Sequence, residues 1–457
     1  MLKLASFLIF FCFDLKAQSG NNENLSDKSF YREEELLGSI FEKNIEIGDL
    51  EFFMTEDTNE SFDNFEDLSF LKDVAQDYNV ILLGETHYSQ TITFLRNRVF
   101  FALNSFDHFP YIIIEQPYSL TEFSNYYIHL EDDDEAELFL ANTLTELIYT
   151  EEELGFLFQL RNWNLSSEKK VNIGGTDIEF SHLKVIEIIL KPYFYGLAED
   201  KNKIDLIMES GKKLDRSFFT EIEKLLNAAE NQKLVGTYEF INPRYISNVI
   251  QNLKSTQNAF FLSFDFYRQK AIVRNLTHED YFGKVLNGGK TMIHGGGSHM
   301  RSRMRYPEDG NFLSEGSFLN HDFGPTKNKV YSIMVENLAY TYGEMKNRKL
   351  NDCAPQGMQY NEMVTFFESE MDKGELDPFL PYFLYERKNE LLKFFSGFYY
   401  RNTMFSIKND SWDKLKEMAL DEDPKSLTFI VSKEQYLNDF DKYIIVPASA
   451  ITTARPK

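Results

Sequence analysis

The chain predicts an α/β fold: a mainly parallel, partly mixed central sheet flanked by helices, with a helical insertion or lid. Three observations carry that expectation. Short apolar runs end in glycine or a polar residue, they alternate with segments of helical period, and the stretch from 181 to 285 shows helical stripes with few strand signals. Such alternation favours parallel strands joined by helical crossovers and covered on both faces.

Taken in order, residues 1 to 17 have the form of a signal peptide. Lys3 is the basic flank, Leu4 to Phe13 the apolar stretch, and Lys16-Ala17-Gln18-Ser19 the cleavage region. The apolar stretch falls short of the roughly 20 residues that span a bilayer. Residues 18 to 74 form a polar, acidic extension without strong period, read as a linker with short helices. The domain proper is expected from 75 to 457. Val80–Leu83 is its first strand, closed by Gly84, which permits a sharp turn. Gln90–Leu103 follows as a helix, with Ile92, Leu95, Val99 and Ala102 or Leu103 on one stripe. Tyr111–Glu115 is the second strand, Thr121–Leu130 and Leu138–Leu160 are helical, and Lys170–Gly174 is the third strand. Within the insertion, Phe218–Ala229 and Tyr245–Leu253 carry clear helical stripes. Strand signals return at Thr291–His294, Val330–Val335, Leu427–Val431 and Tyr443–Val446.

A chain of 457 residues with 43% hydrophobic content, including 43 Phe and 25 Tyr, can bury a large core. Its net charge of -24 argues against a nucleic-acid partner, which needs a basic surface, and against docking on anionic lipid. No segment is apolar and long enough to span a membrane. The leader implies export to a periplasmic or extracellular space. Removal of the leader would also remove Cys12 and leave Cys353 alone, so no internal disulfide is expected and the core must hold the exported chain.

Four polar clusters follow strand ends: Glu85 with His87, Glu115, Asp177, and His294 with His299. Parallel strands bring their carboxyl ends to one edge, where ligands gather in open α/β sheets. His87 suits a general base because an imidazole titrates near neutrality, and Glu85 or Glu115 would fix its tautomer. Arg96 or Arg98, on the helix after His87, could reach back to stabilise an oxyanion or hold substrate. Glu85, His87, Asp177 and His299 could alternatively hold a divalent metal, a minority reading without the H-E-x-x-H spacing. The acidic run Glu131 to Glu135 reads as a solvated face.

The segment His294-Gly295-Gly296-Gly297-Ser298-His299 is a glycine-rich turn holding two imidazoles. A lipase-type oxyanion loop would need a G-x-S-x-G elbow downstream, and the chain has none. A phosphate loop at Gly289-Lys290-Thr291 would need glycine at position 284, which is Lys284. Ser298 is a weak candidate nucleophile.

The ordered motifs resemble the erythromycin esterase family, within a wider group that includes ChaN-like haem-binding proteins and TIKI-type metalloproteases. The motifs are Leu83 to His87, Phe94-Leu95-Arg96, Ile113-Ile114-Glu115, Leu160 to Asn164, Ile173 to Asp177, Arg268 to Ala271, His294 to His299, and Asp441 to Ile445. The resemblance covers roughly residues 75 to 450. It implies a metal-independent hydrolase in which a histidine activates water to open an ester or lactone of a small-molecule substrate, with no cofactor. On that resemblance His87 is the base, Glu85 its acidic neighbour, and Arg96 the helix arginine. Glu115, Arg161, Asp177, His299 and His294 fill the remaining motif positions, with Arg98, Arg161 and Asp177 assigned to substrate binding. A single residue separates Glu85 from His87, as in the ChaN-like group, so a haem-binding protein and a metal-dependent peptidase are the alternatives.

Overall fold

The computed structural model describes residues 50–53, 64–87, 89–148, 150–303, 314–337, 339–341, 382–383, 404–407, 439–446 and 449–450. Its main sheet contains β1 (Leu50–Phe53), β2 (Val80–Glu85), β3 (Tyr111–Pro117), β4 (Asn172–Asp177), β5 (Thr291–Gly296), β6 (Val330–Asn337), β9 (Met404–Ile407) and β10 (Lys442–Val446). A smaller sheet is made of β7 (Ala339–Thr341), β8 (Tyr382–Phe383) and β11 (Ser449–Ala450).

The strand order of the main sheet is β1-β9-β10-β6-β2-β5-β3-β4. Every neighbouring pair from β10 to β4 runs parallel, and β9 and β1 add an antiparallel edge. The expected α/β class, mainly parallel with a mixed edge and helical flanks, is the one observed. Val80, Ile81, Leu82 and Leu83 are all fully buried, as a central parallel strand requires when helices cover both faces. The helix Gln90–Phe106 starts where Ser89 accepts a hydrogen bond from the Ile92 amide at 3.2 Å. It buries Ile92, Leu95, Val99, Ala102 and Leu103, the residues of the expected stripe.

Register brings the strand ends together. Leu83 of β2 pairs with His294 of β5, which pairs with Ile114 of β3. Glu85, His294 and Glu115 therefore emerge within one or two residues of the same line across three adjacent strands, and Asp177 ends β4 beside them.

Some elements differ from expectation. A four-residue edge strand, β1, lies inside the extension read as linker; four residues are too few to show a period. The helix expected over Leu138–Leu160 is broken. A π-helical turn spans Leu140–Leu144, and a new helix begins at Glu151, where Thr150 accepts a hydrogen bond from the Glu153 amide. The third strand runs on through Gly174-Gly175 to Asp177. Gly175 punctuates nothing: a Cβ there would stand 2.4 Å from the Pro117 carbonyl oxygen, so it is a point of close strand approach.

The insertion is helical as expected, with Lys201–Ser210, Arg216–Gln232, Pro243–Phe261 and Phe264–Thr277 as its longer members. The last two pack on each other, and Phe264–Thr277 also packs on β4, so this end belongs to the wall around the strand ends. Among the described residues, no helix is long and apolar enough to cross a membrane. The expected signal peptide, Cys353 and the strand expected at Leu427–Val431 lie outside the described residues.

Candidate active site

Glu85 is the hub of the first half of the site. Its Oε1 accepts from Nδ1 of His87 at 2.9 Å, and its Oε2 lies 3.0 Å from Nε2 of His294. The second contact is close but off the hydrogen-bonding direction. Burial works against charge on Glu85, but the imidazoles of His294 and His87 hold its carboxyl well below the usual carboxylate range. Burial likewise works against charge on His87. The hydrogen bond to Glu85 and the charges of Glu115 and Glu85 outweigh it and raise this imidazole to about 9.

His87 is the member of the cluster open to solvent. Its side chain is 37% exposed, against 12% for Glu85 and 6% for His294. The ring lies over the glycine turn: a Cβ on Gly296 would stand 2.9 Å from its Nε2. Glycine is required there for steric reasons, because any side chain would enter the space of the imidazole.

The second half is organised by Arg268 on the helix Phe264–Thr277. Its Nε and one terminal nitrogen donate to the two oxygens of Asp177, at 2.9 and 2.7 Å, and the same terminal nitrogen donates to Oε1 of Glu115. The other terminal nitrogen lies 3.3 Å from Nε2 of His299. Oε2 of Glu115 also accepts from the Gly296 amide, tying β3 to the turn after β5. Burial raises the carboxyl of Glu115, but Arg268, His299 and His87 hold it well below the ordinary range. His299 presents Nδ1 to the buried carboxylate of Glu315 at 3.0 Å. Burial opposes its charge, Glu315 and Glu115 favour it, and the net effect raises the imidazole above its ordinary value.

Glu85, His87, Glu115, Asp177, His294 and His299 thus do converge. The arginines named from sequence do not join them. Arg96 is buried, donates to Glu153 at 2.5 Å and to Asn97, and lies over the Phe156 ring. Arg98 holds Asp67 through two 2.7 Å bonds and also donates to the Asn64 carbonyl. Arg161 binds the Leu130 carbonyl and Asp133, fixing the loop after the helix Leu120–His129. All three join helices or loops. Arg96 and Arg98 reach carboxylates of neighbouring elements, Glu153 and Asp67, so the expected reach over the strand end is not made. Asp177 is 1% exposed and committed to Arg268, so its part is to position the guanidinium and not to meet a substrate. Ser298 has its hydroxyl oxygen buried, which does not suit a nucleophile.

The donor set does not suit a metal held by Glu85, His87, Asp177 and His299. The guanidinium of Arg268 already stands between Glu115 and Asp177, where a cation would be drawn, and Nδ1 of His299 faces Glu315. Among the described residues, no group of three or more ligand-type side chains is arranged to hold an ion.

Sequence reasoning passed over Arg268 and Glu315 as site residues. A signal for Arg268 existed. It lies on the buried stripe of its helix with Ala271, Ile272 and Asn275, and an arginine on a buried stripe needs a carboxylate partner. Nothing local marks Glu315.

No protein-family model matches the chain, and no curated protein matches it in sequence. Among solved structures, a Bacillus cereus protein aligns over 92% of this chain and 98% of its own, at 15% identity and a TM-score of 0.50. A succinoglycan biosynthesis protein aligns over the same shares at 14% identity and a TM-score of 0.48. An erythromycin esterase variant in its open conformation aligns over 65% of this chain and 80% of its own, at 12% identity and a TM-score of 0.42. At 15% identity the likeness to the Bacillus cereus protein concerns the fold alone.

Proposed function

We propose that this protein is a hydrolase that opens an ester or lactone of a small molecule by direct attack of water activated by His87. The observation that carries the reading is the solvent-open imidazole of His87, fixed through Nδ1 on the partly buried carboxylate of Glu85 at the edge of the glycine turn. That pairing selects the tautomer whose Nε2 can take a proton. Water at Nε2 loses its proton to the ring as its oxygen bonds to the carbonyl carbon. The tetrahedral adduct then expels the alkoxide, which recovers the proton from the imidazolium. No covalent enzyme intermediate is needed, in keeping with the burial of the Ser298 hydroxyl oxygen. The guanidinium of Arg268 is the fixed positive charge of the cluster, offset in part by Glu115 and Asp177.

The imidazole raised to about 9 makes a strong base that is mostly protonated at neutral pH. Rate is therefore expected to climb about tenfold per pH unit through the neutral range and level off near 9. The test is His87→Ala against a panel of aryl and alkyl esters and lactones. A loss of about 10²- to 10⁴-fold in kcat/KM is expected, as for removal of a general base. Unchanged rates across the panel would end the assignment.

A further inference from the structure

The helices Pro243–Phe261 and Phe264–Thr277 are joined by a turn of unusual chemistry. The segment reads Phe260-Phe261-Leu262-Ser263-Phe264-Asp265-Phe266. Connections of this kind ordinarily carry Gly, Asn, Asp or Ser. Here Phe261 is 68% exposed, Leu262 66% and Phe266 50%, and Phe260 is also exposed. Single apolar side chains on a surface mean little, but four large ones are exposed together within seven residues of this junction.

The patch is continuous with the site. The Phe260 ring stacks on Phe264 at 6.1 Å, and Phe264 packs against Phe180 at 5.9 Å. Phe264 and Phe180 both cover the guanidinium of Arg268, at 5.9 and 5.4 Å. Phe264 and Arg268 are four residues apart on one helix face, about 6 Å along its axis. An unbroken run of rings therefore leads from exposed aromatic surface to the cation that organises Glu115, Asp177 and His299.

Building on the hydrolase reading, we propose that the Phe260–Phe266 turn is the specificity element of the site and binds the apolar portion of the substrate, an extended alkyl or aryl acyl group. The substrate class is then an amphiphilic ester whose carbonyl meets His87 while its hydrocarbon part covers the exposed rings. The continuity of rings up to Arg268 favours a substrate group over a lipid surface, and so does the net charge of -24, which disfavours approach to anionic bilayers.

Two measurements test this on the full chain and on the double variant Phe261→Ser, Phe266→Ser. The first is kcat/KM for p-nitrophenyl esters of increasing acyl length. The second is calorimetric Kd for the matching non-hydrolysable N-alkyl amides, which reads the rim without any turnover. In the unaltered protein both should improve with length, by up to about fourfold per methylene buried. In the variant the dependence should flatten, with the melting temperature unchanged. If no ester is hydrolysed but amide affinity still rises with length and flattens in the variant, the rim stands and the hydrolase reading falls. An unchanged length dependence in the variant overturns the rim. So does the loss of binding to neutral phosphatidylcholine vesicles with chain-length dependence intact, which would make the turn a lipid-docking surface instead.

Discussion

Replacing Glu85 by glutamine keeps the shape of the side chain and removes its charge. The amide oxygen can still accept from Nδ1 of His87, and the amide nitrogen falls where Oε2 now lies, 3.0 Å from Nε2 of His294. What changes is the proton affinity of His87. Its ordinary value of 6.5 is raised to about 9, and Glu85 and Glu115 are the carboxylates responsible. An opposite charge at this range moves a titration by about one to three pH units, so loss of Glu85 should lower the His87 titration by about one to two, with Glu115 sustaining the remainder. The alkaline limb of kcat/KM should then move from near 9 to between about 7 and 8. The plateau should drop by roughly 10²- to 10⁴-fold, because a weaker and less firmly oriented base activates water poorly. Initial rates on an activated ester from pH 6 to 10, with an NMR titration of the His87 ring, measure both effects. A limb that stays near 9 in the Glu85→Gln protein would refute the reasoning, since the charge assigned to that shift would be gone.

Three further outcomes follow from the geometry. Arg268→Met strands Glu115 and Asp177 without their cation and should cost about 3–5 kcal/mol in stability, read by chemical denaturation near pH 7; a cost under about 1 kcal/mol would show that the guanidinium is not the staple. Gly296→Ala puts a Cβ 2.9 Å from Nε2 of His87, so activity should fall at least tenfold with a melting temperature changed by only a few degrees, and full activity would place the ring elsewhere. Glu179 is wholly buried. It accepts from Ser119 and Asn252 without a cation, and burial, with Asp177 nearby, pushes it up to about 7. Because its folded value is raised, its contribution is full below about 4.5 and is lost as pH rises through about 7. Glu179→Gln, whose amide can donate to the Ser119 hydroxyl, should therefore gain on the order of 3 kcal/mol relative to the unaltered protein between pH 5 and 8; parallel stability curves across that range would contradict it.

Much of the sheet is legible because its central strands are continuous apolar runs. Val80–Leu83 and Thr291–His294 announce themselves, and their ends place Glu85 and His294 at one edge before any register is known. The edges are less legible. β1 has too few residues to show a period, and β4 hides its length behind a glycine pair that reads as a turn but serves close packing against Pro117. The helix break before Glu151 is also masked, since Leu147 and Ile148 are buried and extend the apolar pattern across it. For the site, the residue types that carry chemistry were visible at strand ends, while the partners that fix them were not. Arg96 and Arg98 stood nearest His87 in sequence, yet each finds a carboxylate on a neighbouring element, Glu153 and Asp67. The arginine that reaches the cluster comes from more than a hundred residues further along the chain, because only the packing of Phe264–Thr277 on β4 brings it there.

That helix supplies the cluster with a cation of its own. Glu115 on β3 and Asp177 on β4 come from adjacent strands, and their carboxylates share one terminal nitrogen of Arg268. Arg268 answers both at once, and the rings of Phe180 and Phe264 shield it from water, which strengthens each of its bonds. Glu115, kept ionised in this way, then acts on His87 from a distance and helps hold its proton until the pH approaches 9. The base strength of the exposed imidazole is thus set partly by an arginine it does not touch. One helical turn before that arginine lies Phe264, which joins it to the aromatic turn proposed to hold the substrate, so the charge that tunes the reaction and the surface proposed to select what reacts meet at the start of one helix.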